Sequence, residues 1–422
     1  MPSPHVLIVG AGLAGPALAL ALAKQSIKST IIERRPDMQD IGGVIMLAPN
    51  AMRVMDKILD IGHSLRAKGY SFEAINIHLQ EADNKLDHVG GFRVSDGATN
   101  GLSISRPVLH EALLAACQEE GMKELIELRY GAKMEHIEET DSGVEAVLEG
   151  GERITGDIMI GCDGIGSRVR KHILGDANPE PVYSGIAVIG AVTPASTVTF
   201  PSTVQLPAFC YTQHGTFLSF AMDQSGQELQ WATSLQVPER DRKTGWDEYR
   251  MSGDAVRDVK RIYADTTVEP IRSFVHGLNN ENVKFWAPYQ MPDLPTWHTS
   301  RVCILGDAAH AIPPSAGQGS AQAFEDIGLL SRLLQGAQPG KGKAEYNQLF
   351  EYFERTRRQR VDAVRKMTAG AESSRRPTEN SWMWWVKKMG VRAVFRFMGT
   401  KGYIQGSAIT RYDVTTESLS FR

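Results

Sequence analysis

Near its N-terminus the chain carries glycines and an acid that together could bind phosphate and sugar groups. Gly10, Gly12 and Gly15 give the spacing G-x-G-x-x-G. In that spacing the first glycine permits a tight turn, the second lets backbone approach a pyrophosphate, and the third lets a helix pack closely on a strand. Glu33 follows roughly twenty residues later, where a carboxylate can accept hydrogen bonds from a ribose hydroxyl. These residues predict a dinucleotide site.

A βαβ unit must position these residues. The run from Val6 to Val9 is short and apolar and predicts a buried strand, and Thr30 to Ile32 predicts a second one. The alanine- and leucine-rich segment up to Lys24 predicts the helix between them. The N-terminus of that helix would offer free N–H groups and a positive dipole end to a pyrophosphate. The alternative is a glycine-rich turn without a ligand, and the acid at the end of the second strand favours the dinucleotide.

Two further glycine-containing turns follow apolar strands. The segment from Gly161 to Arg170 carries Asp163, and the segment from Gly306 to His310 carries Asp307. An ionised carboxylate is an acceptor-only group, so Asp307 at the end of a buried strand suits the hydroxyl groups of a sugar-like chain. Taken alone, this aspartate could instead be a helix N-cap.

Two segments could complete a site at these turns. The small residues from Gly317 to Ala321 let backbone N–H groups approach a flat ring, and the helix predicted from about Ser320 to Leu334 would direct its positive end there. Arg106 stands before Pro107, which is typical of a first helical turn, and its side chain could reach phosphates or a ring from the other side. The alternative role for Arg106 is a surface ion pair.

Composition excludes several other classes of protein. The 422 residues are 42% hydrophobic and 23% charged with a formal net charge of -3, which gives no reason to expect a nucleic acid partner. The four cysteines are scattered and form no C-x-x-C, which argues against a disulfide framework or zinc site and favours a reducing compartment. We therefore expect no metal, no integral membrane segment and a cytoplasmic location.

The elements between the glycine turns are predicted from local patterns. Asn50 is predicted to be the N-cap of a helix from Ala51 to Leu59. The segment from Ser71 to Leu79 alternates apolar and polar residues, and Lys85 to Val94 could pair with it as a hairpin. Short strands separated by turn residues between Leu125 and Ile160 fit a β-meander.

Residues 182 to 275 differ from the preceding segments in their pattern of strands and aromatic residues. Four runs there predict a largely antiparallel sheet, followed by helices around Trp246 to Tyr263: Tyr183 to Val192, Pro207 to Tyr211, Thr216 to Met222 and Leu229 to Leu235. Aromatic side chains concentrate in this region. They could form the core of the sheet, or part of the sheet could form a wall of an apolar substrate pocket.

Two C-terminal segments are predicted to be helical. The first, from Ala344 to about Ala369, contains an arginine-rich stretch that is predicted to be a solvated face: Arg355, Arg357, Arg358, Arg360, Arg365 and Lys366. The second, from Trp382 to Met398, mixes aromatic and basic residues. It is predicted to pack across two domains, and the alternative is a helix that lies on a membrane surface.

These motifs in this order resemble the flavin-dependent monooxygenases of the aromatic-hydroxylase type, such as p-hydroxybenzoate hydroxylase and salicylate hydroxylase. The resemblance extends over about residues 4 to 370. It implies a catalytic region at Pro313 and this set of cofactor-binding residues: Gly10, Gly12, Leu13, Ala14, Gly15, Glu33, Arg34, Gly43, Val44, Arg106, Asp163, Asp307, Pro313, Gly317, Gly319 and Ser320.

The resemblance also implies the architecture. The fold class is α/β, with a Rossmann-like FAD-binding domain of the p-hydroxybenzoate hydroxylase type, an inserted, mainly antiparallel substrate domain and C-terminal helices. The FAD-binding domain would comprise residues 1–70, 101–180 and 286–370. The substrate domain would comprise a hairpin at 71–100 and the sheet at 181–285, and a helical segment would follow at 371–422.

The chemistry implied by the resemblance belongs to the cofactor. NADPH or NADH acts as a transient reductant of FAD, O2 adds as cosubstrate to give a flavin C4a-hydroperoxide, and one oxygen atom passes to an electron-rich carbon. The protein must exclude water and orient the substrate. Arg168 and Arg170 could help to dock the nicotinamide nucleotide near Asp163, or could cap a helix or pair with that aspartate.

The chain departs from the family pattern in its predicted substrate pocket. An arginine found in many salicylate-hydroxylase-like members is replaced by Ile189, and a tyrosine found further on is replaced by Phe220. A larger, neutral and apolar substrate is therefore expected. Tyr211 and His214 are the nearest ionisable candidates for catalysis or substrate orientation, and their alternative is a role as ordinary loop residues.

Other functions share the same flavin fold. A flavin oxidase or reductase would release H2O2 without oxygen insertion, and a non-catalytic redox sensor would bind FAD without consuming NAD(P)H in response to a substrate. A flavin halogenase would need a W-x-W-x-I-P motif, which the sequence Trp382-Met-Trp-Trp385 does not match. The expected partner is a small apolar or aromatic substrate, and the expected state is a monomer or small homo-oligomer.

Overall fold

The strands of the chain form two large sheets and three small ones. A computed structural model describes residues 3–38, 42–81, 83, 85–242, 244–312, 317–335, 342–375, 378, 380–399, 402–405 and 408–419, with the backbone alone described for 368–375. The strands are, in chain order, β1 Val6–Val9, β2 Ser29–Ile32, β3 Val44–Leu47, β4 Tyr70–Phe72, β5 Ala74–Gln80, β6 Leu86–Arg93, β7 Gly101–Ser105, β8 Ile126–Arg129, β9 Met134–Glu139, β10 Val144–Leu148, β11 Arg153–Gly156, β12 Ile158–Gly161, β13 Val182–Tyr183, β14 Ile186–Pro194, β15 Ala208–Thr212, β16 Gly215–Ala221, β17 Glu228–Gln236, β18 Val283–Trp286, β19 Tyr289–Gln290, β20 Val302–Ile304 and β21 Tyr403–Gln405.

The helices range from single turns to a helix of 33 residues. They are α1 Ala14–Ala23, α2 Pro49–Val54, α3 Gly62–Arg66, α4 Arg106–Cys117, α5 Arg168–Leu174, α6 Gly245–Met251, α7 Asp254–Ile262, α8 Ile271–Gly277, α9 Asp307–His310, α10 Gly319–Leu334, α11 Lys343–Arg375, α12 Ser381–Met398 and α13 Ala408–Arg411. A π-helical turn continues α2 over Met55–Leu59. None of the helices within the described ranges has the length and apolarity needed to span a bilayer.

A five-stranded parallel sheet has the order β20-β12-β1-β2-β8. Its central strand β1 reads Val-Leu-Ile-Val and is buried throughout, as expected for a parallel strand covered on both faces. The strands β1, β12 and β20 lie side by side, so the three glycine-containing turns that follow them meet at one edge. The predicted β-meander is confirmed for β9 and β10, and β11, which was not predicted, extends it, whereas the first and last predicted strands, β8 and β12, pair in the parallel sheet.

An eight-stranded mixed sheet has the order β18-β14-β17-β16-β15-β5-β6-β21. Most of its pairs are antiparallel, and the pairs β15 with β5 and β21 with β6 are parallel. The hairpin predicted between residues 71 and 94 is present as β5 and β6. The α/β fold class with an antiparallel-rich second sheet is therefore confirmed, while the exact domain boundaries stay a prediction.

The two faces of the mixed sheet have different partners. On one face, Phe217 stacks on Trp231 with ring centroids 5.0 Å apart, and helices α6 to α8 cover this core. On the other face, Phe209, Tyr211 and Phe220 form a cluster that also contains residues of α12. Side chains of β3 pack against that second cluster, so this face turns towards the parallel-sheet part of the chain.

Helix α12 packs on the mixed sheet through one side. Trp384 and Phe395 are buried in the second cluster, and the helix contacts β6 and β21. Lys388 Nζ lies 2.9 Å from a carboxylate oxygen of Glu81 on the loop after β5. The helix was predicted to lie across two domains, and its described contacts place it mainly on this sheet.

Candidate functional site

The first glycine turn has the geometry that its spacing predicts. Gly10 has a φ of +104°, and a Cβ on it would lie 2.7 Å from the Cys162 carbonyl oxygen. A Cβ on Gly15 would overlap the Gly10 carbonyl oxygen, so that position allows α1 to pack on the strand. A Cβ on Gly12 would meet nothing within 4 Å, because this residue faces open space. The loop therefore leaves room for a ligand at its second glycine.

Glu33 is fixed beside this loop by backbone donors. Its Oε2 accepts a 2.8 Å hydrogen bond from the Ala11 N–H, and its Oε1 accepts a 2.9 Å bond from the Arg35 N–H. A carboxylate has about four acceptor positions, so two remain for hydroxyl donors. The predicted position of Glu33 at the end of β2, next to the glycine turn, is thus observed.

A cavity of about 190 Å³ opens between this loop and the start of α4. Its lining combines glycine-turn backbone with basic, acidic and aromatic side chains: Ala11, Gly12, Leu13, Glu33, Arg35, Asp37, Met38, Arg106, Pro107, His110 and Tyr130. Arg34 was predicted to bind the cofactor; its side chain is exposed, and Arg35 lines the cavity. Ala14 starts α1 behind the loop.

Sequence reasoning missed His110 in this cavity. Its Nε2 lies 2.7 Å from the Ala11 carbonyl oxygen, so the ring ties α4 to the glycine turn. Burial lowers the pKa of His110, with the nearby Arg106 charge acting in the same direction. The spacing Arg106 to His110 places both side chains on one face of a helix, and this i, i+4 relationship was the available signal.

The second part of the site joins β3, α4 and the mixed sheet. The Arg106 N–H donates a 2.8 Å hydrogen bond to the Gly43 carbonyl, and the Val44 N–H donates to the side-chain oxygen of Gln230 on β17. Gly43 and Val44 were predicted to contact the cofactor. They lie where the small sheet of β3, β7 and β4 meets the mixed sheet. Gln230 was not identified from sequence, because a lone glutamine on a predicted strand carries no functional signal.

Asp307 lies at the first position of α9, directly after Gly306, which has a φ of +58°. The Asp307 side chain is exposed to open space, although protein atoms surround the turn on which it stands. Desolvation raises the pKa of Asp307, while the charges of His310 and Arg106 act in the opposite direction. Arg106 at the start of α4 is therefore near enough to Asp307 for their charges to interact.

A buried carboxylate on α10 closes the turn that carries Asp307. The Oδ2 of Asp326 accepts hydrogen bonds from the Gly306 N–H at 2.8 Å and from His310 Nε2 at 2.7 Å. Its Oδ1 accepts a 2.6 Å bond from Arg357 Nε on α11, and both partners are fully buried. Desolvation acts to raise the pKa of Asp326, but the interactions with His310 and Arg357 outweigh it and lower the pKa. The prediction that Arg357 lies on a solvated face is therefore wrong.

The neighbouring Glu325 organises the residues that precede α10. It accepts hydrogen bonds from Arg357 Nη1 at 2.8 Å, from Arg360 Nη2 at 2.9 Å and from Asn50 Nδ2 at 2.6 Å. Asn50 Nδ2 also lies 3.0 Å from the side-chain oxygen of Gln318. Asn50 is therefore not the predicted N-cap: α2 begins at Pro49 after Ala48, and the Asn50 side chain points inward.

The start of α10 is thereby held next to the three turns. Gln318 is the N-cap residue of this helix, and Gly319 and Ser320 are its first two residues. Gly317 has a φ of +59°, and a Cβ on it would lie 3.3 Å from Met46 Cε on β3. These residues occupy the predicted position at the positive end of α10. Pro313, predicted to be both cofactor-binding and catalytic, lies outside the described residues.

The middle turn connects the other two. Asp163 Oδ2 accepts hydrogen bonds from the Arg168 and Val169 N–H groups at 2.7 and 3.2 Å. Its Oδ1 is buried and has no hydrogen-bond partner among the residues that the structure describes. Burial raises the pKa of Asp163. One acceptor thus stays available for a donor from outside the described residues.

Arg170 is structural rather than free to dock a nucleotide, whereas Arg168 is exposed and its proposed part in docking stays a prediction. Arg170 is buried and donates to the Ala308 carbonyl at 2.9 Å, which ties this turn to the Asp307 turn. The side chain of Arg168 donates to the Met134 carbonyl at 2.5 Å. The prediction that Arg170 helps to dock NAD(P)H is wrong, because its side chain is buried. Ser167 accepts a 2.8 Å bond from the Arg170 N–H and caps α5.

The two candidate catalytic residues of the mixed sheet lie in different surroundings. Tyr211 belongs to the cluster that faces β3, whereas the His214 ring packs edge-on against Tyr263, at 5.6 Å between centroids. Tyr263 belongs to the core on the opposite face. Ile189 also points into that core, so it does not occupy the wall that a substrate-binding arginine would occupy. The structure does not bring Tyr211 and His214 together.

The features that converge at this edge fit FAD. They are an open cradle at Gly12, a carboxylate fixed at Glu33, the exposed carboxylate of Asp307, and Asp163 Oδ1, which has no partner in the described part of the chain. Residues 4–368 match the family model described as FAD binding domain. The chain belongs to this family. It is a FAD-dependent monooxygenase, and the family uses NAD(P)H and O2.

Curated relatives and solved structures agree with this assignment. The chain is 26% identical to 6-hydroxynicotinate 3-monooxygenase of Pseudomonas fluorescens over 90% of its own length and 94% of the relative. It is 29% identical to 3-hydroxybenzoate 6-hydroxylase 1 of Aquipseudomonas alcaligenes, covering 81% and 84% of the two chains. The fold matches a salicylate hydroxylase substrate complex with a TM-score of 0.74 at 20% identity, covering 98% and 96%. The predicted resemblance, fold and cofactor are confirmed.

Proposed function

We propose that this monooxygenase inserts one oxygen atom of O2 into a largely apolar, electron-rich aromatic substrate, by hydroxylation or epoxidation. The observation that carries the proposal is the composition of the sheet face that turns towards β3. Phe209, Tyr211, Leu218 and Phe220 occupy it, with Val44 and Met46 packed against them from β3. An aromatic wall of this kind favours a flat apolar ligand over a small carboxylate.

The chain's own residues have three tasks in this reaction. Bound FAD, reduced by NAD(P)H, supplies the activation of O2. Gly12, Glu33 and Arg106 would bind the pyrophosphate and ribose part of FAD. Asp307 and the start of α10 would bind and orient its flavin part. The apolar face of the mixed sheet excludes water, which prevents loss of the activated oxygen as H2O2. Tyr211 is the candidate for orienting a polar group of the substrate.

A lysine beside this aromatic wall adds a polar group to the substrate that the sequence led us to expect. Lys387 Nζ on α12 lies 5.7 Å from the centroid of the Tyr211 ring. Burial lowers the pKa of Lys387 to about 8, so the amine titrates near neutral pH. The substrate that we propose is therefore apolar over most of its surface, with one phenol-like or otherwise polar group directed towards Tyr211 and Lys387.

The relatives support an aromatic ring and do not define its size. The names of two of them state oxygenation of a hydroxynicotinate and a hydroxybenzoate. Those rings are small and acidic. The replacement of the family tyrosine by Phe220, which lies on the wall, supports a less polar substrate here.

A substrate screen of the holoenzyme tests the proposal. Small hydroxylated aromatic carboxylates are compared with apolar polycyclic phenols and indoles, and NAD(P)H consumption minus H2O2 formation is measured for each. The apolar compounds should give coupled turnover, with one atom of oxygen-18 from 18O2 in the product. Coupled turnover with the small carboxylates alone would contradict the substrate class.

The same screen separates the alternative functions. Stoichiometric H2O2 without labelled product would indicate an oxidase or reductase. Bound FAD without any substrate-stimulated NAD(P)H consumption would favour a redox sensor.

A further inference from the structure

Helix α12 presents an apolar face that the described fold leaves exposed. Trp382, Trp385, Phe397 and Met398 expose 70%, 58%, 81% and 72% of their surface. Between them, four more apolar side chains are more than two-fifths exposed: Met383, Val386, Met389 and Val394. Monomeric soluble proteins rarely expose a continuous apolar patch of this kind without a binding partner. We call these eight side chains the outer face of α12.

The orientation of α12 is fixed by charged contacts on its inner side. Lys388 Nζ lies 2.9 Å from Glu81, and Arg392 Nη2 lies 3.0 Å from the same carboxylate and also pairs with Asp87. Trp384 and Phe395 are buried beneath the helix. The outer face therefore cannot turn inward without breaking these ion pairs and exposing two buried aromatic side chains.

We propose that the outer face of α12 docks the protein on the surface of an anionic phospholipid membrane, with the helix lying parallel to the bilayer. Segment 381–398 contains four basic residues and no acidic residue; Lys388 and Arg392 pair with carboxylates on the inner side, and Arg396 is exposed. Tryptophan and phenylalanine side chains partition into the boundary between headgroups and acyl chains, and nearby basic residues attract anionic headgroups. The exposed Arg396 lies beside Phe397 and Met398, where it would meet those headgroups.

Charge favours the membrane over a second copy of the chain. A two-fold contact through this face would place the same acid-free, basic helix against itself, because an isologous interface uses the same patch on both subunits. The exposed Arg396 of each copy would then lie in or beside a desolvated contact without an acidic residue of segment 381–398 to pair with it, which costs free energy. An anionic lipid surface complements the charge and accepts the aromatic side chains without further partners.

Helix α12 lies between the docking surface and the proposed substrate wall. Trp384 on the inner side of α12 packs in the same cluster as Phe209, Tyr211 and Phe220. A helix docked on a bilayer would thus bring the aromatic wall close to the lipid, from which an apolar substrate can be drawn. This consequence depends on the proposed function, whereas the docking itself does not.

Vesicle binding by the FAD-loaded enzyme tests the docking. The probes are vesicles of phosphatidylcholine alone and vesicles with phosphatidylglycerol added, and the readout is co-sedimentation. The variant combines Trp382→Ser, Trp385→Ser and Phe397→Ser. The matched control is Trp286→Ser on β18, which is also about half exposed but lies on the opposite edge of the mixed sheet from β21. The wild type and the control should bind anionic vesicles, and the triple variant should bind about tenfold or more weakly.

Two outcomes would overturn the proposal. Failure of the wild-type holoenzyme to bind either vesicle would do so. So would a wild-type dimer in sedimentation velocity that the triple variant loses, because a second copy would then cover the face. Flavin absorbance and NAD(P)H oxidation in detergent-free buffer check that the variant is folded. Vesicle binding is scored without any substrate, so failure of the proposed function leaves this result interpretable.

Discussion

Asp326 and His310 share a 2.7 Å hydrogen bond at a point almost closed to solvent. The same carboxylate oxygen accepts the Gly306 N–H, so one atom fixes both ends of the turn that presents Asp307. Arg357 holds the other oxygen of Asp326 from a helix that begins well after the flavin-binding motifs. The site therefore depends on a buried network that never needs to touch the cofactor.

Replacement of Asp307 by alanine should remove most of the flavin. A hydrogen bond to a charged group contributes about 1.5–3 kcal/mol, which corresponds to roughly 10- to 150-fold in FAD affinity. The ratio of flavin absorbance to protein absorbance after purification measures the effect. Asp176→Ala, at an exposed aspartate, is the matched control. Full yellow colour in the Asp307→Ala protein would refute the role of this residue.

Replacement of Arg357 by methionine should destabilise the fold. It leaves Asp326 without its arginine and Glu325 with fewer donors in a closed site, and breaking a buried pair of this kind costs about 3–5 kcal/mol. Urea unfolding of the FAD-loaded proteins measures the free energy of unfolding. Arg355→Met on the same helix removes an exposed arginine and should change it little. Equal effects of both substitutions would contradict the importance of the network.

A double-mutant cycle tests the contact between the sheets at Gly43. A Cβ at this position would overlap the end of the Gln230 side chain and force it away from the Val44 N–H, so Gly43→Ala should cost about 1 kcal/mol through the lost hydrogen bond. In a Gln230→Ala background the space is open, and the same substitution should be nearly neutral. Thermal unfolding of the four proteins gives the coupling. Additive effects would show that the two residues do not meet in the folded protein.

Acid should destabilise the protein through His78. Burial, assisted by the charge of His88, lowers the pKa of His78 from 6.5 to about 4. The unfolded chain therefore binds a proton that the folded chain excludes, and stability falls as the pH decreases from about 6.5 to about 4, by on the order of 3 kcal/mol. His78→Asn should flatten this part of the stability profile, measured by urea unfolding. An unchanged slope would assign the titration to another group.

Two phenylalanines on opposite faces of the mixed sheet separate substrate binding from stability. Phe209 faces β3, whereas Phe217 is fully buried in the core on the other face. Phe209→Ala should raise the KM for an apolar substrate about tenfold, because it removes part of the aromatic wall. Phe217→Ala should lower the free energy of unfolding by about 3–5 kcal/mol and leave KM nearly unchanged. A reversed pattern would place the substrate on the other face.

Local sequence patterns were sufficient to predict those parts of the site that lie within one short segment of the chain. The glycine spacing, the acid at Glu33 and the Asp307 turn each lie within a short segment whose strand and helix are evident from sequence. The prediction of a mainly antiparallel second sheet also followed from alternating residues. Each of these features is determined by neighbours in the chain.

The missed features depend on residues distant in sequence. Arg357 was assigned to solvent because an arginine-rich helix has no visible buried side, and its partners Glu325 and Asp326 are 31 or more residues away. Gln230 meets Val44 across 186 positions. The strand β8 was placed in the wrong sheet because its apolar run fits either one. Contacts between residues that are distant in sequence, and the sheet that a strand joins, depend on how the whole chain packs.

The parallel sheet has a consequence for biosynthesis. Its adjacent strands β1, β12 and β20 lie far apart along the chain, so the ribosome completes the glycine turn long before the last third of the polypeptide emerges. Flavin capture must therefore follow release of most of the nascent chain. A product truncated before Gly306 would keep the intact nucleotide fingerprint and still be colourless.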